Sequence, residues 1–569
     1  MNALHAGLSR LAVWRPRWLA PLALAGLLAF SIVCGAIGVN FGDHPDEHYQ
    51  IGGVQECIDG LVLAPRRYIY GNVYFLLGNA VVLADNPRFV PDFLREMRAR
   101  EDGAIVELDQ YNSVKRFQFL ARQFLHSPRY LTEMRMVFFC LSALTAVWIY
   151  LAIRKVRPGR PLAALAGAAF VLLSWELHYH GRFIAVDALM AQFAALELYL
   201  LATAWSTRVY RSFILSYVAA AVVAGLAFAS KATGLALLVP VVILPFLWRP
   251  PPGQRRRALP LAVLAGLVFL ATVVVLQPGT LYDFPKYATT LRREAWEYSL
   301  KQFQPHSTVS VGDRTSRFLQ WQWLAVPSPY RLGAVFLSAI TLVGVVRLVR
   351  DRFRLAVLCG SLVVLMVVTM AIHELMIVRQ FLLLIPLQAL AFGVGVAALQ
   401  FHLARHPRLR RGLLLAVGLV FALNAGWLYR TARTIPGGDM TGTLDKLTAD
   451  LLARPRRIRL SSLVYSAIAG RLTGYRCQAG DTAGEPERDA PFAIRVDERI
   501  WHANELGLTA RTYGAQWVNF DWYTPWISNP SSPPIYVLPL EHARNQRIRV
   551  EAYGICTPES ASEPDPGRK

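Results

Sequence analysis

The stretch LAPLALAGLLAFSIVCGAIGVNFGDHPDEHYQ, residues 19–50, joins a long apolar run to a dense cluster of carboxylates and histidines. Residues 19–39 are uncharged, and a helix that crosses a bilayer needs about 20 such residues. Residues 41–50 then contain three carboxylates and two histidines. The stretch therefore predicts a membrane helix that ends in proton-handling groups, which form either a solvated cap or part of an active site.

The rest of the chain shares this apolar character. It has 569 residues, of which 54% are hydrophobic and 17% charged, and its mean hydropathy is +0.33. This composition excludes an ordinary soluble protein and indicates an all-α polytopic membrane protein. We predict about eleven spans, at 19–39, 133–153, 162–179, 184–205, 212–229, 232–248, 259–277, 331–346, 355–372, 380–399 and 412–430.

The formal net charge of +22 would suit a nucleic-acid-binding protein, but the positions of the basic residues argue against that function. If the eleven spans alternate in direction, every arginine-rich cluster falls on one side of the membrane. Basic connections stay in the cytoplasm, so the distribution of positive charge indicates the orientation of the spans. No nucleic-acid partner is expected. The clusters lie at residues 10–17, 154–160, 208–211, 249–257, 347–354 and 405–411.

This topology defines two predicted domains. Residues 1–430 form the membrane domain, with large outer loops at 40–130 and 278–330. Residues 431–569 form a small extracytoplasmic α/β or β domain that ends in a disordered tail. Within the first outer loop, interfacial helices are predicted at 70–84 and 112–126.

Two of the six cysteines, Cys477 and Cys556, lie in the outer domain. An oxidising compartment would allow a disulfide between them. Cys57 is also outside and is left unpaired in this scheme. The sequence alone leaves open whether the bond forms.

Three carboxylates are candidates for chemistry. Asp46 and Glu47 follow the first span, and Asp187 lies several residues inside a later one, near the same outer side. A carboxylate inside a span costs roughly 2–3 kcal/mol on insertion scales, so Asp187 should face a cavity or a partner. Arg182, which precedes it by five residues, could be that partner.

Two cations, Lys231 and Arg379, also lie at span ends on the outer side, where positive charge is otherwise sparse. Each could simply anchor its helix at the interface, but together they favour an anion site. A lipid phosphate is the anion available there. Carboxylates and cations in one place suit group transfer from that phosphate, because a carboxylate deprotonates the acceptor hydroxyl and the cations stabilise the departing phosphate.

The histidines of the first stretch add a metal hypothesis. His44 and His48 are four residues apart and would reach one metal ion on a helix, with Asp43 or Asp46 as a further ligand. The alternative is that they orient the carboxylates. The chain is therefore expected to need either no cofactor or a divalent metal ion.

The order of these features resembles a known superfamily. An outer loop opening with HPDEHYQ (44–50) and a second aspartate in GRFIAVDALM (181–190) are similar to GT-C glycosyltransferases that use polyprenyl-phosphate sugars. The branch that contains protein O-mannosyltransferases and aminoarabinose transferases is the most similar. The resemblance covers residues 19–400.

This resemblance implies an inverting glycosyltransferase with a GT-C-like fold and extracytoplasmic chemistry. Its partners would be a polyprenyl-phosphate sugar donor, an acceptor protein, lipid or glycan, and membrane lipid. It would be a multi-pass protein of a bacterial inner membrane with a periplasmic site. Carried over by position, the roles are catalytic base for Asp46, acceptor site for Glu47, second acid for Asp187, and donor phosphate for Lys231, Arg379 and Arg182.

Other functions remain open from the sequence. A polysaccharide polymerase or ligase outside the GT-C superfamily also uses lipid-linked sugars, but it would lack an early acidic pair. A lipid or polysaccharide transporter would place ionisable residues deep in several spans. A sensor or scaffold would depend on the outer domain, so deletion of residues 435–569 would abolish its function.

Overall fold

A computed structural model shows two compact units, Met1–Val39 with Pro45–Tyr429, and Asn40–His44 with Arg430–Lys569. The structure describes residues 18–434 with gaps at 38, 40–44, 69, 86, 88–90, 92–107, 208, 249–256, 300–314, 316–317, 320 and 373–377, and beyond them residues 449, 452–453, 458–461, 472–480, 492–496, 535–539 and 553–558.

The first unit is built from α-helices. In chain order they are α1 Leu19–Ala36, α2 Pro45–Gly60, α3 Asn72–Asp85, α4 Leu108–Leu125, α5 Pro128–Val156, α6 Pro161–Leu172, α7 Trp175–His180, α8 Val186–Ser206, α9 Tyr210–Phe228, α10 Leu238–Leu247, α11 Ala258–Leu276, α12 Gly279–Tyr282, α13 Phe284–Ser299, α14 Arg331–Asp351, α15 Phe353–Ile372, α16 Ile385–His402 and α17 Pro407–Thr434. Short 3₁₀ segments at Ala232–Leu237 and Val378–Leu384 precede α10 and α16.

The helices confirm a multi-pass integral membrane protein. In the described part of the chain, eight helices are long and apolar enough to cross a bilayer, and each coincides with a predicted span. The other three predicted spans coincide with shorter apolar helices, Pro161–Leu172, Ala232–Leu247 and Phe353–Val368.

The first predicted outer loop contains a helix, α2, that the sequence pattern did not predict. Its Gly52–Gly53 pair lowers helix propensity and hides the helical period. Gly53 is needed for packing, because a β-carbon there would overlap the ring of Phe75 on α3. The two segments predicted as interfacial helices are helical and form α3 and α4. Together with α2 they share one buried core with the start of α5.

The centre of the membrane unit is α16, whose apolar stretch is 89% buried. It packs against α5, α6, α8 and α14. Backbones touch where it crosses α14, since a β-carbon on Gly344 would overlap the Ala391 carbonyl and one on Gly395 would overlap the Ile340 carbonyl. Such small-residue contacts allow close helix packing in a membrane.

The second unit contains a five-stranded sheet of order β2-β5-β1-β3-β4. The strands are β1 Ile458–Ser461, β2 Tyr475–Gly480, β3 Phe492–Val496, β4 Ile535–Pro539 and β5 Tyr553–Pro558. β1 and β3 are parallel and the other neighbours are antiparallel. Cys477 lies opposite Cys556 in the β2–β5 pair, and Cys477 is disulfide-bonded. The predicted disordered tail lies outside the described residues.

Candidate functional site

Glu47 on α2 is held by a buried ion pair with Arg135 on α5. Arg135 Nε donates to Glu47 Oε1 at 2.7 Å, and its Nη2 donates to Oε2. Nη1 of the same guanidinium donates to the Val39 carbonyl at 2.9 Å, just beyond α1. The two-pronged geometry is the strongest that an arginine and a carboxylate form, so α1, α2 and α5 are joined at one end of the bundle.

Glu47 also reaches the segment that carries the second predicted acid. Its Oε1 accepts from the Ile184 backbone N–H at 3.2 Å, three residues before Asp187. The Ile184 carbonyl in turn accepts from the Tyr74 hydroxyl of α3 at 2.7 Å. The acidic helix α2 and the start of α8 therefore belong to one buried cluster.

Asp187 lies in the first turn of α8 and is 2% exposed. Its Oδ1 accepts from Lys231 Nζ at 2.7 Å. Lys231 is 9% exposed and precedes the 3₁₀ segment Ala232–Leu237. An acid at the start of α8 and a cation in the turn after α9 therefore meet at this end of the bundle.

The turn that carries Lys231 is fixed by the first outer loop. The backbone N–H of Gly71 donates to the Ser230 carbonyl at 2.9 Å, and that of Val73 donates to the Ala229 carbonyl at 3.1 Å. Glycine is required at 71, because a β-carbon there would overlap the Ala229 carbonyl. The position of the ammonium group thus depends on a loop 160 residues earlier in the chain.

Arg182 contacts α1, in contrast to its predicted pairing with Asp187. Its Nη1 donates to the Ile37 carbonyl at 2.8 Å and its Nη2 to the Cys34 carbonyl at 2.6 Å. These carbonyls end α1 and have no partner within the helix, so a cation caps them. Within the described part of the chain, Lys231 is a cation that pairs with Asp187.

The two loops that the sequence predicts to be outside also meet. Tyr68 of the first loop donates its hydroxyl to Asp283 Oδ2 at 2.9 Å. Burial, with the adjacent Asp283 carboxylate, raises the pKa of Tyr68 well above its ordinary value, so the phenol stays protonated and keeps donating. Gly279 lies against the Tyr68 ring, where a β-carbon would be 2.6 Å from the hydroxyl oxygen.

For the remaining predicted residues, the structure describes either the backbone position alone or nothing. Asp46 and His48 belong to α2 and Arg379 to the 3₁₀ segment before α16, while Asp43 and His44 lie outside the described residues. Among described side chains, no group of three or more histidines, cysteines, aspartates and glutamates could hold a metal ion.

One part of the chain matches a known protein family, and this part contributes a residue to most of the contacts described above. Residues 129–277 match the family of dolichyl-phosphate-mannose-protein mannosyltransferases. We call residues 129–277 the mannosyltransferase-like segment. The match confirms the predicted resemblance over this segment, which contains Arg135, Ile184, Asp187 and Lys231. No protein of curated function matches the sequence.

Solved structures of two kinds are similar to most of the chain at low identity. ArnT from Cupriavidus metallidurans bound to undecaprenyl phosphate is 13% identical, with a TM-score of 0.49 over 96% of this chain and 99% of its own. AglB, an oligosaccharyltransferase from Archaeoglobus fulgidus solved with an inhibitory peptide and a dolichol-phosphate, is 13% identical, with a TM-score of 0.44 over 81% of this chain. The chain spans 60% of that oligosaccharyltransferase.

Two buried charged residues were not predicted as functional, although the sequence carried a signal for both. Arg135 and Glu197 lie within the apolar runs of predicted spans, where an ionisable residue marks a functional or paired site. Arg135, in the mannosyltransferase-like segment, proved to be the partner of Glu47. Glu197 is 2% exposed, and its Oε2 has no hydrogen-bond partner among the described residues.

Proposed function

We propose that the protein is an inverting glycosyltransferase that moves a sugar from a polyprenyl-phosphate donor to an acceptor hydroxyl at the extracytoplasmic membrane face. The observation that carries this proposal is the meeting of Glu47–Arg135 and Asp187–Lys231 in one buried cluster. The match of residues 129–277 to a family of mannosyltransferases supports it. The neighbours solved with undecaprenyl phosphate and dolichol-phosphate suggest which donors to test.

In the proposed reaction, the acceptor oxygen attacks the anomeric carbon and the bond from that carbon to the phosphate oxygen breaks. The acceptor proton passes to the Asp46 carboxylate as general base, and the bond's electron pair leaves with the polyprenyl phosphate. Glu47, held by Arg135, fixes the position of α2, the helix that carries Asp46.

The donor phosphate would be bound by Lys231 and Arg379. An ammonium group has three N–H donors, and the bond to Asp187 uses one of them, so Lys231 can also donate to a phosphate oxygen. Asp187 thereby orients the cation that stabilises the departing phosphate. Arg182 caps the end of α1. In this proposal its positive charge attracts the donor phosphate without contacting it.

The arginine-rich connections support the extracytoplasmic assignment. Arg135 and Lys155 lie on α5, twenty residues apart, which corresponds to about 30 Å along a helix and to the hydrocarbon thickness of a bilayer. The basic cluster at Lys155 therefore lies at the face opposite Glu47, and basic connections stay cytoplasmic.

The test uses the purified full chain in lipid nanodiscs with polyprenyl-phosphate mannose that is radiolabelled in the sugar. We expect the label to move from the donor to a component of an added membrane extract, which serves as acceptor, and we expect one polyprenyl phosphate to be released for each sugar transferred. Aminoarabinose on the same lipid is the second donor to test. A protein that moves the intact donor between leaflets of a liposome and releases no polyprenyl phosphate would be a transporter instead.

A further inference from the structure

A large cavity lies at the end of the bundle opposite the candidate active site. Its volume is about 1080 Å³, and it is formed where α5 and α8 end and where α14 meets α15. The residues on its wall that matter here are four cations and two tryptophans: Lys155, Arg350, Arg352, Arg354, Trp205 and Trp248.

Among the described residues of this wall, positive charges outnumber negative ones. The described acid on the wall is Asp351, and it is already engaged, since Arg157 Nη2 donates to it at 2.9 Å and Arg347 Nε lies 3.4 Å away. Neither Arg157 nor Arg347 is among the described residues that line this cavity. The cavity therefore keeps an excess of positive charge, which an anion would offset.

The position of the cavity across the bilayer fits a lipid headgroup. Lys155 lies about 30 Å along α5 from Arg135, by the rise of 1.5 Å per residue, so the two residues are separated by one hydrocarbon thickness. Trp205 and Trp248 are of the type that marks the level of the headgroups. Apolar side chains such as Phe353 and Leu355 lie beside the cations, which suits an amphiphile better than a small inorganic anion.

We propose that this cavity binds the phosphate headgroup of an anionic phospholipid from the leaflet opposite the candidate active site. Arg352 and Arg350 supply the exposed cations, and neither makes a hydrogen bond or ion pair with the described side chains. Arg354, which donates one N–H to the Leu247 carbonyl at 2.9 Å, is held in place by α10 and shapes the wall. Basic pockets between membrane helices bind anionic headgroups in this way.

The test measures lipid retention by native mass spectrometry of the full chain in detergent, titrated with phosphatidylglycerol or with zwitterionic phosphatidylcholine. We expect phosphatidylglycerol to bind with a defined stoichiometry and phosphatidylcholine not to do so. The double variant Arg350→Gln/Arg352→Gln should bind phosphatidylglycerol roughly 100-fold more weakly, since each lost charge-assisted contact with the phosphate should weaken binding about tenfold.

The matched control is Arg408→Gln/Arg411→Gln, which removes two exposed arginines at the start of α17. Equal weakening in both double variants would mean diffuse attraction to basic residues and would overturn the proposal. Equal binding of both lipids, or full displacement of phosphatidylglycerol by millimolar inorganic phosphate, would also overturn it. If the double variant is poorly folded, Arg352→Gln alone should still weaken binding about tenfold.

Discussion

Arg135 and Glu47 form a doubly hydrogen-bonded ion pair in which the two side chains are 1% and 2% exposed. Removing both charges from water is costly, and the pair is tolerated because each group satisfies the other. The pair contributes less to net stability than to the position of α2. Breaking only one side of it should therefore be far more damaging than replacing both.

The first prediction concerns this pair. Arg135→Met should lower the free energy of unfolding by about 3–5 kcal/mol, because it leaves a buried carboxylate uncompensated. The double variant Glu47→Gln/Arg135→Met should recover most of that loss. Thermal unfolding in detergent measures both.

Arg122→Met is the matched control for that experiment, because Arg122 pairs with Asp59 at 2.7 Å in an exposed site. Its cost should be below about 1 kcal/mol. A double variant as unstable as Arg135→Met would show that the arginine acts through packing and not through the ion pair.

The second prediction concerns the proposed base. Asp46→Asn should lower turnover roughly 10²–10⁴-fold, the usual contribution of general base catalysis, with little change in donor affinity because asparagine keeps the shape. Glu47→Gln should cost less, and Asp187→Asn should be intermediate. Asp59→Asn, on the same helix, serves as control and should retain wild-type turnover. Wild-type activity in purified Asp46→Asn would remove Asp46 from the mechanism.

The third prediction concerns the donor phosphate. Lys231→Ala and Arg379→Ala should each raise the KM for the polyprenyl-phosphate donor by the equivalent of about 1.5–3 kcal/mol, the value of one charge-assisted hydrogen bond. Lys231→Arg should be partly tolerated. Arg116→Ala on α4 is the control, since Arg116 is an exposed cation. Unchanged donor KM in both alanine variants would contradict the assignment.

The fourth prediction concerns the loop that holds Lys231. Gly71→Ala should destabilise the protein by about 1–3 kcal/mol through overpacking and should raise the donor KM, because the Ala229–Lys231 turn must move. Gly266→Ala has no heavy atom within 4 Å of the added β-carbon and should be neutral or slightly stabilising. A Gly71→Ala enzyme with wild-type donor KM would show that the turn does not depend on this contact.

The fifth prediction concerns topology. A reporter that is active only in the cytoplasm should be silent when it is fused after Lys569. On a non-reducing gel the protein should migrate as the form in which Cys477 is oxidised, since disulfides persist in oxidising compartments. A strong cytoplasmic signal would reverse the topology and with it the proposed face of the chemistry.

The spans could be predicted because each is an apolar run that needs no knowledge of its neighbours. The helix α2 could not be predicted, since Gly52 and Gly53 obscure its period and only the packing of Gly53 against Phe75 explains them. Local pattern therefore predicted the membrane helices and missed the helix that carries the acidic pair.

The pairings in the candidate site could not be derived from sequence, because they join distant segments. Asp187 and Lys231 are 44 residues apart, and Glu47 and Arg135 are 88 apart. Proximity in sequence suggested Arg182 as the partner of Asp187, but the end of α1 offers it two carbonyl acceptors. A charged residue inside an apolar run, as at Arg135, was the usable signal.

The central position of α16 has a consequence for biogenesis. Its neighbours α5, α6, α8 and α14 all precede it in the chain, so they leave the ribosome before the helix that they surround. Its glycine contacts with α14 require the two backbones to meet. Lipid chains in the place of α16 would not make these backbone contacts. The central helix is therefore synthesised after these four neighbours, and a nascent chain that stops before residue 385 lacks the helix against which all four pack.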